Sequence, residues 1–521
     1  MKKNWPKFAL FLIIALAFLI RIPGLASFPT GFTADEAAQG YTAYSILKTG
    51  SDEWGKFLPI SLRSFGDFKA PLYTYLTVPS VALFGLNEFA VRFPSVLMGT
   101  LAVLFTYLLT NELFKNRKLA LIAALLLAIS PWHFSLSRGA FEANLTTFFL
   151  PAGLYFFLKG IKKPGFLTLS FLFFGLNLFT YHSARLITLI FLGFLFLWKR
   201  KELWPISKKY LAPYLILFFF LIGFLFSFSG GAISRVGDIG IFSAGLEIPE
   251  IFLRNYFSYF SLNFLFFQGA KEATYGMIPG KGLLYLFELP LLIGAIFFLI
   301  KKWQKNLLPL VFWIILAPLP ASLAFGVGFH ANRMAVMMPA IQILSAYGLI
   351  LLWQKIKGKR LKIFSSLLIS LIILFSSINF LRAYITRSPK VTPQAMGYGW
   401  QELVEVLEEK EDKFERIIIS RKFSEPQAYL AFYKKWDPEF FQKESLDWLK
   451  YEENGLMFVD QLGHYKLGKY EFRDIHWPVD KELTKTLLVV KDGEANLAEV
   501  ESYRIIPYPT GKKAFLVIEL P

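Results

Sequence analysis

The sequence predicts a polytopic α-helical membrane protein that ends in a small soluble α/β domain. Three observations carry this reading. Apolar runs long enough, or nearly long enough, to cross a bilayer recur through residues 1–383. Basic clusters fall in every second loop between them from Lys115 onward. Beyond about residue 384 the texture changes to short strand-like runs and amphipathic helical periodicity.

Composition sets the same bounds. Of 521 residues, 55% are hydrophobic and only 18% charged, and the mean hydropathy is +0.46, too high for a soluble chain of this length. The net charge of +18 is explained by basic loops retained on the cytoplasmic side, so nucleic acid is not an expected partner. With no cysteine there is no disulfide, thiolate metal site or cysteine nucleophile.

Taken in order, the chain opens with Lys2, Lys3 and Lys7 ahead of an apolar run from Phe8 to Ile22. A basic start before an apolar stretch resembles a secretory signal, but with many spans following it reads as an uncleaved first transmembrane helix. Further runs lie at 91–114, 119–136, 141–158, 165–180, 186–198, 210–228, 282–300, 306–325, 334–354 and 363–381, giving roughly eleven transmembrane helices. Clusters around Lys115/Arg117/Lys118, Lys159/Lys162/Lys163, Lys199–Lys209, Lys301/Lys302/Lys305 and Lys355–Lys362 put one set of loops, and the N-terminus, in the cytoplasm. The other set, 23–90, 132–140, 181–185, 229–281 and 326–333, is then external, together with everything after about 382. Residues 70–86 are apolar enough to consider as a span. Pro71 and Pro79 interrupt them and no basic loop flanks them, so they read as an interfacial or re-entrant helix within one large external loop. The domain boundary falls at 383/384. In the tail, strands are expected at 416–420, 487–490 and 514–518, and helices at 400–409 and 425–434.

Charged side chains are costly in lipid, and the spans avoid them. The informative charges collect at outer helix ends and in outer loops. The strongest group is Thr33-Ala34-Asp35-Glu36, just after the first span. Its plain reading is an acidic pair stabilising a helix N-terminus, capped by Thr33 or Asp35. Its functional reading is a general base beside the membrane that takes a proton from a hydroxyl attacking a sugar. Lys69, in Gly66-Asp67-Phe68-Lys69-Ala70-Pro71-Leu72, is either a lysine reaching for headgroups or a cation on a phosphate. Arg138, Arg185 and Arg333 share the outer level. Each alone reads as an interfacial anchor; several converging would bind a lipid phosphate, because guanidinium forks match phosphate oxygens. His182 and His330, with Asp35 or Asp67, are the side chains a divalent metal or an acceptor would meet, but no spacing is diagnostic of a metal, so a divalent metal stays an open alternative and no other cofactor is expected.

These residues resemble a known family. Asp35-Glu36 after the first span, Lys69-Ala70-Pro71-Leu72-Tyr73, Val91-Arg92-Phe93-Pro94-Ser95 and Ser130-Pro131 with Ser137-Arg138 are similar to the GT-C membrane glycosyltransferases. The nearest branch is the protein O-mannosyltransferase and aminoarabinose transferase group (glycosyltransferase family 39). The likeness covers about residues 5–200, and extends more weakly to His330-Ala331-Asn332-Arg333 and Met338-Pro339-Ala340. It implies a polyprenyl-phosphate-linked monosaccharide donor and an inverting transfer to a hydroxyl at the extracytoplasmic face. Asp35 would be the catalytic carboxylate, with Glu36 beside it, and Lys69 would contact the donor phosphate. One departure stands out: aminoarabinose transferases carry a glutamate directly before that lysine and two prolines after it, whereas this chain has Phe68 and Ala70-Pro71, with Asp67 one residue further back. Two rival classes share parts of the pattern. A flippase or transporter for lipid-linked sugars would need polar groups at mid-depth, in which these spans are poor. A membrane scaffold would not need Asp35, Lys69 and the outer arginines together.

Overall fold

The computed structural model describes residues 4–64, 68–229, 240–271, 273–301, 303–324 and 329–521. Lys2, Lys3, Asp67 and Lys302, named above, lie outside the described residues. In chain order the elements used below are α1 (Trp5–Leu19), α2 (Ala34–Thr49), the two-residue strands β1 (Leu62–Arg63) and β2 (Phe68–Lys69), α3 (Leu72–Phe84), α4 (Glu88–Phe114), α5 (Arg117–Ile129), α6 (Pro131–Leu136), α7 (Ala143–Gly160), α8 (Phe166–Asn177), α9 (His182–Trp198), α10 (Arg200–Ser207), α11 (Ala212–Ser229), α12 (Ile248–Ser258), α13 (Glu288–Lys301), α14 (Leu308–Leu316), α15 (Ala340–Lys355) and α16 (Lys359–Val391). The tail adds α17 (Trp400–Lys410), β3 (Arg416–Ser420), α18 (Pro426–Tyr433), α19 (Pro438–Glu444), β4 (His464–Leu467), β5 (Tyr470–Arg473), β6 (Thr486–Val490), β7 (Ser502–Pro507) and β8 (Lys513–Leu520).

Every expected apolar run folds as helix, and so does 70–86, as α3. By length and composition, four stretches among the described residues suffice to cross a membrane: α4, 305–322, 335–355 and α16. A fifth is added if α9 and α10, bent by 90°, count as one broken span. The apolar helices α1, α3, α8 and 212–227 are shorter.

The chain divides into two compact units. A helical unit comprises residues 1–25 and 95–385, and a loop–tail unit comprises 26–94 and 386–521. The helical unit packs by aromatic contact and by small residues. Phe156 of α7 and Phe173 of α8 stack at 5.5 Å between ring centroids, 5° from parallel. A Cβ on Gly348 of α15 would lie 1.9 Å from the Leu291 carbonyl oxygen of α13. Only glycine permits that approach, as small residues do at helix interfaces in lipid.

In the loop–tail unit, α2 is the central helix. The Thr33 hydroxyl accepts from the Glu36 N–H at 3.2 Å while Glu36 Oε2 accepts from the Thr33 N–H at 3.0 Å, a reciprocal cap that fixes where α2 begins. Ala37, Ala38, Gly40 and Ala43 give α2 a narrow buried face. A Cβ on Gly40 would lie 2.6 Å from both the Phe432 ring and Val91, so glycine lets α18 settle directly on α2. The tail's sheet has the order β4-β5-β3-β6-β8-β7. β3 runs parallel to β5 and β6, and the other pairings are antiparallel. β6 is buried throughout, and Leu487–Val490 of β6 and Ile417–Ile419 of β3 are continuous apolar runs, as strands covered on both faces are. β7 is mostly exposed and ends on Pro507, as a sheet edge tolerates. Ile418, Leu488, Val490, Leu516 and Ile518 form the sheet's core with Trp477.

Candidate active site and cation sites

Within the loop–tail unit, the two acidic residues at the start of α2 have different fates. Glu36 is fully buried and meets an equally buried Arg92 from the first turns of α4. Nε donates to Oε1 at 2.8 Å and Nη2 to Oε2 at 3.1 Å, a bidentate pair. Arg92 also donates from Nη1 to the carbonyls of Ala26 and Pro29 at 3.1 and 3.2 Å, and from Nη2 to that of Gly31 at 2.5 Å. Its guanidinium lies 5.3 Å from the Phe32 ring centroid. One arginine thus closes the turn that leads into α2. The adjacent Asp35 points the other way. Its side chain is 49% exposed, and Oδ1 meets Lys69 Nζ at 2.8 Å, with Lys69 only 8% exposed. Lys69 is delivered by the hairpin β1–β2, in which Lys69 pairs with Leu62. The result is an accessible carboxylate fixed on a rigid helix start and held by a nearly buried ammonium. Such a group can accept a proton from a bound hydroxyl, and the cation beside it can meet an anionic leaving group.

The tail supports this helix from behind. Tyr41 donates to the Trp436 carbonyl at 3.0 Å. Gln442 Nε2 reaches Ser45, Thr49 and the Asp52 carbonyl at 3.1, 3.2 and 2.9 Å. Thr30 N–H donates to Ser388 Oγ at 3.0 Å, and Thr392 Oγ1 donates to the Thr30 carbonyl at 2.7 Å. Nearby, Glu53 is buried and accepts from the Thr42 hydroxyl. Burial pushes its carboxyl well above the ordinary value.

In the helical unit the predicted cations separate. Arg138 is buried and donates to the carbonyls of Arg21, Pro23 and Gly24 at 2.7, 2.9 and 2.9 Å, beneath the rings of Phe134 and Tyr384. It ties down the chain leaving α1. Arg185 and Arg333 belong to segments that are joined. Asn332 Nδ2 donates to the Tyr181 hydroxyl at 3.2 Å, which brings 330–333 to the start of α9. There Arg185 Nη1 lies 3.2 Å from His182 Nδ1, and Nε is 3.3 Å from the Leu178 carbonyl. Arg333 Nη1 is buried with no hydrogen-bond partner among the described residues. His330 is half-buried in the same segment.

Among the described residues, no group of three or more histidine or acidic side chains is arranged to hold a metal ion. Asp67 lies outside them, and His182 Nδ1 faces Arg185. In the sequence Arg92 stands within the Val91–Ser95 motif, with no role assigned to it. The available signal was Glu36 itself, since a carboxylate on the inward face of a small-residue helix needs a cation.

No curated protein matches the chain in sequence. Residues 68–225 match the family model described as dolichyl-phosphate-mannose-protein mannosyltransferase. Among solved structures, ArnT from Cupriavidus metallidurans aligns over 98% of this chain and 97% of its own, with TM-score 0.55 and 13% identity; it is known both in the apo state and bound to undecaprenyl phosphate. The Archaeoglobus fulgidus oligosaccharyltransferase aligns over 83% of this chain with TM-score 0.53 and 15% identity. This chain spans 64% of that protein's length. The chain therefore has the fold of ArnT and of the archaeal oligosaccharyltransferase, a GT-C membrane glycosyltransferase fold, and residues 68–225 resemble the mannosyltransferase family.

Proposed function

We propose that the protein transfers a monosaccharide from a polyprenyl-phosphate carrier to a hydroxyl acceptor, with inversion, at the extracytoplasmic face of the cell membrane. The observation that carries this is the half-exposed Asp35 held at 2.8 Å by the nearly buried Lys69. Asp35 takes the proton of the acceptor hydroxyl. The acceptor oxygen forms a bond to the anomeric carbon from the face opposite the phosphate. The bond from that carbon to the phosphate oxygen breaks, and the polyprenyl phosphate leaves with the electron pair. Lys69 is the proposed contact for the phosphate charge that grows as it leaves. Glu36, spent on Arg92 and the cap, positions Asp35. In the helical unit, Arg185 and Arg333 are the proposed ligands for phosphate oxygens of a lipid carrier, with His182 and His330 beside them, while Arg138 holds the end of α1. The undecaprenyl phosphate bound by ArnT supports a carrier of that class. The alternation of basic loops supports an internal N-terminus, a membrane domain over 1–383 and an external domain over 384–521.

The test is transfer from a set of radiolabelled polyprenyl-phosphate monosaccharides by purified protein in lipid nanodiscs, wild type beside Asp35→Asn. The expected result is label released to an acceptor or to water by wild type, and turnover lower by about a hundredfold or more in the variant. Near-normal turnover in Asp35→Asn would remove Asp35 from the base role. Tight donor binding with no release by either protein would favour a lipid-sugar flippase.

A further inference from the structure

α15 and α16 form a hairpin, with Gly358 in the connection. Near the end of α15, Trp353 donates from Nε1 to Ser366 Oγ of α16 at 3.1 Å, and Lys362 Nζ stands 4.8 Å from the Trp353 ring centroid. Beside this contact opens a cavity of about 490 Å³ whose lining includes Trp353, Lys359, Lys362, Ile363 and Leu367. Its charge is one-sided. Lys355, Lys357, Lys359, Arg360 and Lys362 crowd the turn, and the sequence has no carboxylate at all between Glu288 and Glu402. An apolar track leads away from the cations. Ile363, Leu367, Leu371 and Leu374 recur at helical spacing and are 53, 61, 63 and 56% exposed. At about 1.5 Å per residue the track runs about 16 Å, close to half of a ~30 Å hydrocarbon core.

From this we propose that the α15–α16 hairpin is a binding site for an anionic phospholipid. Lys359 and Lys362 hold the headgroup phosphodiester, Trp353 sits at the glycerol level, and an acyl chain lies along Ile363, Leu367, Leu371 and Leu374. Charge complementarity selects an anionic over a zwitterionic lipid, because the cations have no acidic neighbour in sequence to neutralise them. The continuous apolar track selects a lipid over a free phosphate. Tryptophan at the water interface and basic pockets between membrane helices are the features such lipids meet. The site is independent of the transfer reaction and of which sugar is moved.

The test uses the full chain in phosphatidylcholine nanodiscs doped with a lipid brominated on its acyl chains, either phosphatidylglycerol or phosphatidylcholine. Quenching specific to Trp353 is the wild-type signal minus that of Trp353→Phe. Brominated phosphatidylglycerol is expected to quench Trp353 at about a tenfold lower mole fraction than brominated phosphatidylcholine. The Lys359→Gln/Lys362→Gln double variant should lose that preference, since each basic residue near an anionic surface contributes a factor of about five. Lys359 is exposed and Lys362 half-buried, and neither has an acidic partner among the described residues to leave uncompensated, so the melting midpoint should stay within about 2 °C of wild type. A second measurement needs no variant: the wild-type preference should weaken as salt rises, because charge contacts at the surface are screened. Equal quenching by the two lipids, a preference that survives loss of both lysines, or relief of quenching by inorganic phosphate at constant ionic strength, with chloride as the comparison, would each overturn the proposal. So would protection of Trp353 from both lipids, which would mean that a second protein surface covers the hairpin.

Discussion

Glu36→Gln separates holding the active-site helix from acting in the reaction. The substitution keeps size and shape but removes the charge opposite Arg92. Both side chains are fully buried, so the arginine is left as an uncompensated buried cation, which typically costs 3–5 kcal/mol. Weakening the reciprocal cap on Thr33 adds about 1 kcal/mol. Arg92 retains its bonds to the Ala26, Pro29 and Gly31 carbonyls, which holds the loss toward the lower end. In the loop–tail unit of about 200 residues, each kcal/mol corresponds to roughly 2–4 °C, so the midpoint of that unit should fall by about 10 °C. The assay is intrinsic tryptophan fluorescence during heating of the purified protein, with Asp35→Asn as comparator. Asp35→Asn should lose less, a few degrees at most, because Asp35 is 49% exposed and the asparagine carbonyl can still accept from Lys69. A Glu36→Gln variant that melts like wild type yet has lost turnover would refute this reasoning and place Glu36 in contact with substrate.

Lys69→Gln should lower kcat by tenfold or more, the worth of a charge-assisted hydrogen bond made as the phosphate leaves, measured by initial rates against donor concentration. Arg333→Gln should weaken donor binding, read by titration of a labelled lipid phosphate, while leaving the melting midpoint unchanged, since Nη1 has no protein partner to lose among the described residues. Arg138→Leu should instead lower the melting midpoint by several degrees, because three carbonyls at the end of α1 lose a charged donor; an unchanged midpoint would contradict the clamp. Glu53 makes stability depend on pH. Its folded-state pKa is raised by burial, so its contribution is full below about 4.5, the unfolded value, and is lost as pH rises toward the folded one. Glu53→Gln should therefore flatten the fall in melting midpoint above pH 4.5, and parallel curves for variant and wild type would exclude that role.

The helical layout was legible because hydrophobicity is a local signal. Each apolar run, and 70–86, forms helix, and β3, β6, β8, α17 and α18 cover the segments that periodicity marked in the tail. β4, β5 and β7 were not marked. They are short, alternate with charged residues such as Lys466, Glu471 and Arg504, and gain strand character only from neighbours such as β3 and β8.

What the sequence by itself determined was membrane character, the order of helices, and the positions of Asp35, Glu36, Lys69 and the arginines. Each follows from composition or from residues within one or two turns of each other. Only the tertiary structure decided what each charge meets. Glu36 is committed to Arg92, 56 residues away, while Asp35, its direct neighbour, stays exposed beside Lys69. Arg138 reaches 114 to 117 residues back to the end of α1. The tail buttresses α2 across nearly 400 residues of chain. No local pattern encodes such pairings, because a buried charge is set by whichever partner the packed chain brings to it.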